Sequence, residues 1–163
     1  MVLKLNLGCH HFKLPGFVNV DIDPQVQPDM VLDLKELTNK FTPDSVDFIN
    51  AGHVLEHMSY ADALKLVNDC FQILKPCSTL LVIVPNYEIA SQVTSWKDAE
   101  KIILAGGDHK QIFNDDKLNH LFTESSFRYH YNIGINNIPY MVVSNIRDPK
   151  PDAWQSTRLG IKL

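Results

Sequence analysis

Lys4-Leu5-Asn6-Leu7-Gly8-Cys9 opens the chain, and Phe17-Val18-Asn19-Val20-Asp21-Ile22-Asp23 follows a few residues later. The first stretch is an apolar strand that runs into a glycine. The second is a strand that ends in carboxylates. In a parallel α/β sheet this pairing builds a nucleotide site: the glycine lets the backbone approach a ligand, and the carboxylate takes the ribose hydroxyls. The stretch therefore predicts an α/β fold and, as a ligand class, an adenosine-containing cofactor.

The rest of the chain continues the alternation. Val2 to Leu7 and Phe17 to Asp21 are the first two strands, with room between Cys9 and Gly16 only for a turn or loop closed by Pro15-Gly16. Met30-Val31-Leu32 ends at Asp33 as a third strand, and Val46 to Asn50 is a fourth, entered through Thr42-Pro43-Asp44-Ser45. Ser59 starts a helix with Asp62 three residues on, a capping-box variant. Leu64, Val67, Phe71 and Leu74 form its apolar face and Pro76 stops it. Thr79 to Val84 is continuously apolar, as a central strand covered on both faces should be. A helix is predicted from Glu88 to about Ala105, ended by Gly106-Gly107. Another is capped by Asn114, with Leu118, Leu121 and Phe122 as its buried stripe. Arg128 to Ile133 and Tyr140 to Ile146 read as a closing hairpin around Asn136-Asn137. From Asp148 onward there are two prolines and no periodicity, which reads as a strap or a loose end.

Composition narrows the function classes. A chain of 163 residues with 45% apolar and 21% charged residues is an ordinary globular domain. Its 15 Lys and Arg against 19 Asp and Glu give a net charge of −4 with no basic cluster, which disfavours a nucleic-acid groove. The longest apolar run, Leu80-Leu81-Val82-Ile83-Val84, is too short to span a bilayer, and the first residues lack the pattern of a signal peptide, so a cytoplasmic protein is expected. Cys9, Cys70 and Cys77 are odd in number and widely spaced, which predicts reduced thiols.

Taken in order, these pieces resemble the class I S-adenosylmethionine (SAM)-dependent methyltransferases, in particular small ones with a shortened first helix. The resemblance is carried by Leu5-Asn6-Leu7-Gly8-Cys9, Pro15-Gly16-Phe17-Val18-Asn19-Val20-Asp21 and Asp33-Leu34. It continues through Ser45-Val46-Asp47-Phe48-Ile49, His53-Val54-Leu55-Glu56-His57, Ile73-Leu74-Lys75-Pro76 and Val84-Pro85-Asn86. A downstream pattern from His109 to Phe127 extends it, so that it covers most of residues 3 to 127. It implies a Rossmann-like, mostly parallel seven-stranded sheet with helices on both faces and a C-terminal antiparallel hairpin. Residues 1–147 then form the methyltransferase-like domain and 148–163 a tail. Two positions depart from the family: His10 replaces the second glycine of the Gly-x-Gly turn, and Pro76-Cys77-Ser78 stands for Pro-Gly-Gly.

The resemblance implies a SAM site made by Leu7, Gly8, Cys9, Asp21, Ile22, Asp33, Leu34, Ala51, Gly52 and His53. Asp21 would accept from both ribose hydroxyls, and Asp23 reads as a solvated loop acid. Asp33 suits either the adenine amino group or a helix N-cap, while Leu34 offers a backbone N–H to a ring nitrogen. Methyl transfer is an in-line displacement on an activated carbon, so a base is needed only when the acceptor must lose a proton. His53 is the catalytic candidate for that role, with its near-neutral intrinsic pKa. Glu56 and His57 read as anchors of the loop after the fourth strand. No metal is expected, because adjacent Cys9, His10 and His11 rarely converge on one ion and the His53/His57 pair lacks the His-Glu-x-x-His pattern. The expected reaction is methyl transfer to a small-molecule oxygen or nitrogen acceptor. The alternative is a degenerate module that keeps the fold and loses catalysis. A nicotinamide-dependent oxidoreductase fits poorly, because the later glycines of its fingerprint are absent. The sequence leaves oligomeric state open.

Overall fold

The computed structural model describes residues 2–93, 97, 104–132 and 155–162. Among them, seven strands form one sheet: β1 (Lys4–Leu7), β2 (Val18–Asp21), β3 (Met30–Val31), β4 (Val46–Gly52), β5 (Leu74–Pro85), β6 (Tyr129–Asn132) and β7 (Gln155–Ile161). Their spatial order is β3-β2-β1-β4-β5-β7-β6. The pairs from β3 to β5 are parallel, and β7 is antiparallel to both of its neighbours. The helices are α1 (Leu37–Lys40), α2 (Tyr60–Ile73), α3 (Tyr87–Val93) and α4 (Asp115–Glu124). No helix among the described residues is long and apolar enough to cross a membrane.

The order of the strands locates the site. From β1 the chain winds outward through β2 to β3, then returns to β4 on the other side of β1 and winds away to β5. The carboxyl ends of β1 and β4 therefore flank the point where the winding reverses, which is where an open α/β sheet leaves a crevice for ligands.

Alternation along the strands sends two kinds of side chain to the two faces. Leu5, Leu7, Ile49, Ala51, Leu80, Val82 and Val84 join one core with Ala63, Leu66, Val67, Cys70 and Ile73 of α2 and Leu118, Leu121 and Phe122 of α4. The other face carries Asn6, Asn50, Leu81 and Ile83, all buried. Both helix starts are capped as expected: Ser59 Oγ accepts from the Asp62 N–H at 3.1 Å, and Asn114 Oδ1 from that of Lys117 at 2.9 Å.

The β1–β2 connection is a loop over residues 8–17, tied by Cys9 N–H to the Val20 carbonyl (3.0 Å) and Phe12 N–H to that of Cys9 (2.7 Å). The expectation of a shortened first crossover holds. Three other readings change. The buried stripe of α2 is Ala63, Leu66, Val67, Cys70 and Ile73, so the helix is rotated from the Leu64/Val67/Phe71 face, and Leu74 already belongs to β5. Pro76 lies inside β5, just before Cys77, which takes the left-handed φ of 64° where the family has glycine. Residues 155–161 of the expected tail form β7, paired along its length with Thr79 to Pro85. The Tyr140–Ile146 strand and half of the helix expected between Glu88 and Ala105 lie outside the described residues.

The tail's strand escaped the sequence pattern because the buried positions described in it, Arg158 and Gly160, are not large apolar residues. Arg158 is buried, and Gly160 sits where an added Cβ would lie 2.7 Å from Phe127 Cδ1 and 2.8 Å from Phe122 Cε1. The two aromatic rings fill the space that a side chain would otherwise occupy.

Candidate functional site

Gly8 ends β1 with φ +60°, and a Cβ there would come within 2.8 Å of Val54 Cγ2. Glycine is required on both counts. Leu7 and Ala51 are fully buried core residues, so they can offer the crevice only their backbone. Gly52 has no such constraint: the nearest atom to its added Cβ is Asn50 Nδ2 at 3.7 Å.

His10 occupies the family's second glycine position and adopts the left-handed φ of 44° itself. Its N–H is donated to Asp21 Oδ2 at 2.7 Å. The departure from glycine is thus accommodated in backbone shape, at the cost of about 1–2 kcal/mol that a left-handed L-residue carries. Asp21 Oδ1 accepts from the Asp23 N–H at 3.0 Å. Each carboxylate oxygen has two lone pairs, so both keep capacity for a hydroxyl. Asp23 is a cap, accepting from the Gln25 N–H at 2.9 Å.

Ile22, 63% exposed, and Val31, 56% exposed, stand just after β2 and at the end of β3, two large apolar side chains left uncovered on the same edge. Asp33 Oδ1 caps the turn that follows, accepting from the Lys35 N–H at 3.0 Å, and Leu34 beside it is buried. The capping reading of Asp33 is therefore realised.

A cleft of about 330 Å³, counted out to open solvent, lies between the 8–17 loop and the sheet. Asn6, Gly8, Cys9, Phe12, Leu14, Asn50, Gly52 and His53 line it. Burial, and then the nearby Asp21 charge, push the Cys9 thiol up, which makes it a poor nucleophile.

Sequence reasoning missed the polar floor of this cleft. Asn19, Asn6 and Asn50 are register partners across β2, β1 and β4. Asn50 Nδ2 donates to Asn6 Oδ1 (2.8 Å), and Asn6 Nδ2 to Asn19 Oδ1 (2.9 Å) and the Phe12 carbonyl (2.9 Å). Asn19 Nδ2 donates to Asp29 Oδ2 (2.7 Å), and Asn19 Oδ1 also accepts the Leu14 N–H (2.7 Å). A loop cannot satisfy its own backbone as a helix does, so the sheet supplies amides to it. One atom is left over: Asn50 Oδ1 is buried without a donor. The available signal was an Asn between apolar residues in three strands, Leu5-Asn6-Leu7, Val18-Asn19-Val20 and Ile49-Asn50-Ala51.

His53 follows β4 with φ 58°, its N–H bound to the Ile83 carbonyl at 2.9 Å. Its Nδ1 lies 3.0 Å from Glu56 Oε1, and its side chain is 17% exposed against 1% for Glu56. With Nδ1–H donated to the carboxylate, Nε2 is left as the acceptor. Glu56 is therefore an orienting partner of His53 as well as a loop anchor. His57 takes another direction, its Nδ1 3.0 Å from Asp108 Oδ2. Of Tyr87 and Trp96, which the sequence offers as lining of a substrate pocket after β5, Tyr87 donates its N–H to the Phe113 carbonyl (3.0 Å), and Trp96 lies outside the described residues.

No protein-family model and no curated protein matches the chain. Solved structures do. A SAM-dependent methyltransferase from Archaeoglobus fulgidus superposes with a TM-score of 0.69 at 16% identity, over 99% of this chain and 86% of that one. The fold is that of the class I SAM-dependent methyltransferases. A SAM-dependent methyltransferase from Thermotoga maritima gives 0.67 at 13% identity over 100% and 83% of the two chains. One from Mesorhizobium loti gives 0.64 at 12% identity over 99% and 91%. At these identities the likeness is one of fold.

Proposed function

We propose that the protein binds SAM in the crevice above β1, β2 and β4 and transfers its methyl group to a small oxygen or nitrogen acceptor. The observation that carries this reading is the placement of Gly8 and Asn50 in the cleft where the winding of the sheet reverses, with Asp21 tied to the turn after Gly8 through the His10 N–H. Asp21 would hold the ribose hydroxyls, and exposed Ile22 and Val31 would flank the adenine. The unpaired Asn50 Oδ1 asks for a donor, which the α-ammonium of SAM supplies. When bound, SAM contributes a methyl group already activated on a sulfonium.

The chain's own part is positioning, exclusion of water and proton acceptance. His53, held by Glu56 and by its backbone bond to β5, would take the acceptor's proton on Nε2. A second reading, SAM binding without transfer, is favoured by His10 in the glycine position. Release of S-adenosylhomocysteine over a panel of phenols, catechols and primary amines separates the two. Catalysis predicts turnover with one class and a loss on the order of 100-fold in His53→Gln. Absence of turnover with every acceptor, in a protein that binds SAM, supports the second reading.

A further inference from the structure

The loop after β4 and the loop before α4 are sewn together by hydrogen bonds that span 54 to 56 residues of sequence. The Glu56 carbonyl accepts the N–H groups of Lys110 (2.8 Å) and Gln111 (3.2 Å), and Gln111 Nε2 donates to the Leu55 carbonyl at 2.9 Å. This brings His109 to His57, with ring centroids 4.8 Å apart and nearly perpendicular. Glu56, His57 and His109 each present a ligand atom, and the three lie within 4.8 Å of one another. An independent observation points to a missing partner here. Glu56 is 1% exposed, its Oε1 is taken by His53, and its Oε2 is buried with no hydrogen-bond donor. A carboxylate oxygen in that state is costly unless something positive or protic meets it.

We propose that Glu56, His57 and His109 form a divalent transition-metal site, of the zinc class, beside the SAM crevice. Two imidazoles and one carboxylate are a borderline-soft donor set that suits Zn²⁺ and leaves a fourth position open. Asp108 Oδ2, 3.0 Å from His57 Nδ1, acts as the outer carboxylate that fixes the tautomer and leaves Nε2 to the cation. Donors bound to one zinc ion lie about 3–4 Å apart. The cluster therefore closes by about an ångström on loading, a movement available to His57 and His109, which are only partly buried. Glu56 then joins the cation to His53 through its two oxygens, which couples the metal to the proposed base. The sequence carried no expectation of a metal, because adjacent Cys9, His10 and His11 rarely converge on one ion and the His53/His57 pair lacks the His-Glu-x-x-His pattern. The third donor comes from His109, which strand order and loop hydrogen bonds deliver.

The test is titration of the purified, metal-stripped protein with Zn²⁺ by calorimetry and with Co²⁺ by absorption. The expected result is one saturable site per chain with a nitrogen-and-oxygen tetrahedral cobalt spectrum. At least tenfold weaker binding is expected in His109→Ala and in Glu56→Gln. His109 lies on a loop outside the core, so its variant keeps the test decisive even where Glu56→Gln fails to fold. The double variant His10→Ala/His11→Ala should bind as the parent does. No saturable binding by the folded protein, unchanged affinity in His109→Ala, or loss of binding in the His10/His11 variant overturns the proposal. Because metal is the only ligand, none of these outcomes depends on SAM binding.

Discussion

The two faces of β1 and β4 are built from the same strands and solve opposite problems. On one face Leu5, Leu7, Ile49 and Ala51 pack beneath helices. On the other, Asn6 and Asn50 meet the 8–17 loop. A helix arrives with its backbone hydrogen bonds made, so the strand face below it can be apolar. A loop arrives with N–H and carbonyl groups unpaired, and the Asn row accepts and donates for it. Shortening the first crossover thus exchanges an apolar layer for a polar one, and the polar one has an acceptor to spare at the cleft.

The comparison can be broken on either side. Leu5→Ala on the helix face removes a fully buried side chain and should cost about 3 kcal/mol, read from denaturant unfolding. Asn6→Leu on the loop face keeps the number and branching of side-chain heavy atoms, yet it strips partners from Asn50 Nδ2, Asn19 Oδ1 and the Phe12 carbonyl. It should cost about 2 kcal/mol and raise hydrogen exchange in the 8–17 loop while leaving α2 protected. If the leucine variant is as stable as the parent, the polar row is not what holds the loop.

A smaller effect sharpens the picture at the loop's start. His10→Gly relieves a left-handed backbone while adding unfolded-chain entropy, so a net gain of about 0.5 kcal/mol is expected in thermal unfolding, with SAM affinity kept or improved. The smallest effect lies at the far end of the row. Hydrogen bonds from the Asn19 backbone and side chain hold the Asp29 carboxyl below the usual carboxylate range. A depressed folded value adds stability above the unfolded pKa of about 3.9 and loses it as pH falls through the folded value. NMR titration should find Asp29 titrating low, and moving back toward 3.9 in Asn19→Ala.

The sequence exposed those parts of the fold where one residue carries one requirement. Gly8 could be read because a strand-ending turn in the left-handed region needs a glycine. Ser59 and Asn114 could be read because a helix start needs a side-chain cap. The Asn row could not, since each amide is explained only by a partner in another strand, and register decides that pairing. β7 hid for a related reason. Among its described side chains the buried positions are Arg158 and Gly160, and the fitness of Gly160 depends on Phe122 and Phe127 and not on local hydropathy. His109 reached Glu56 and His57 through loop hydrogen bonds that no spacing rule announces.

The most direct test of the account is calorimetric titration of the folded protein with SAM, repeated with Asp21→Ala. The account predicts one SAM per chain with at least tenfold weaker binding in the variant, since charge-assisted hydrogen bonds are worth roughly 1.5–3 kcal/mol. No binding by the folded parent, or equal binding by Asp21→Ala, contradicts it.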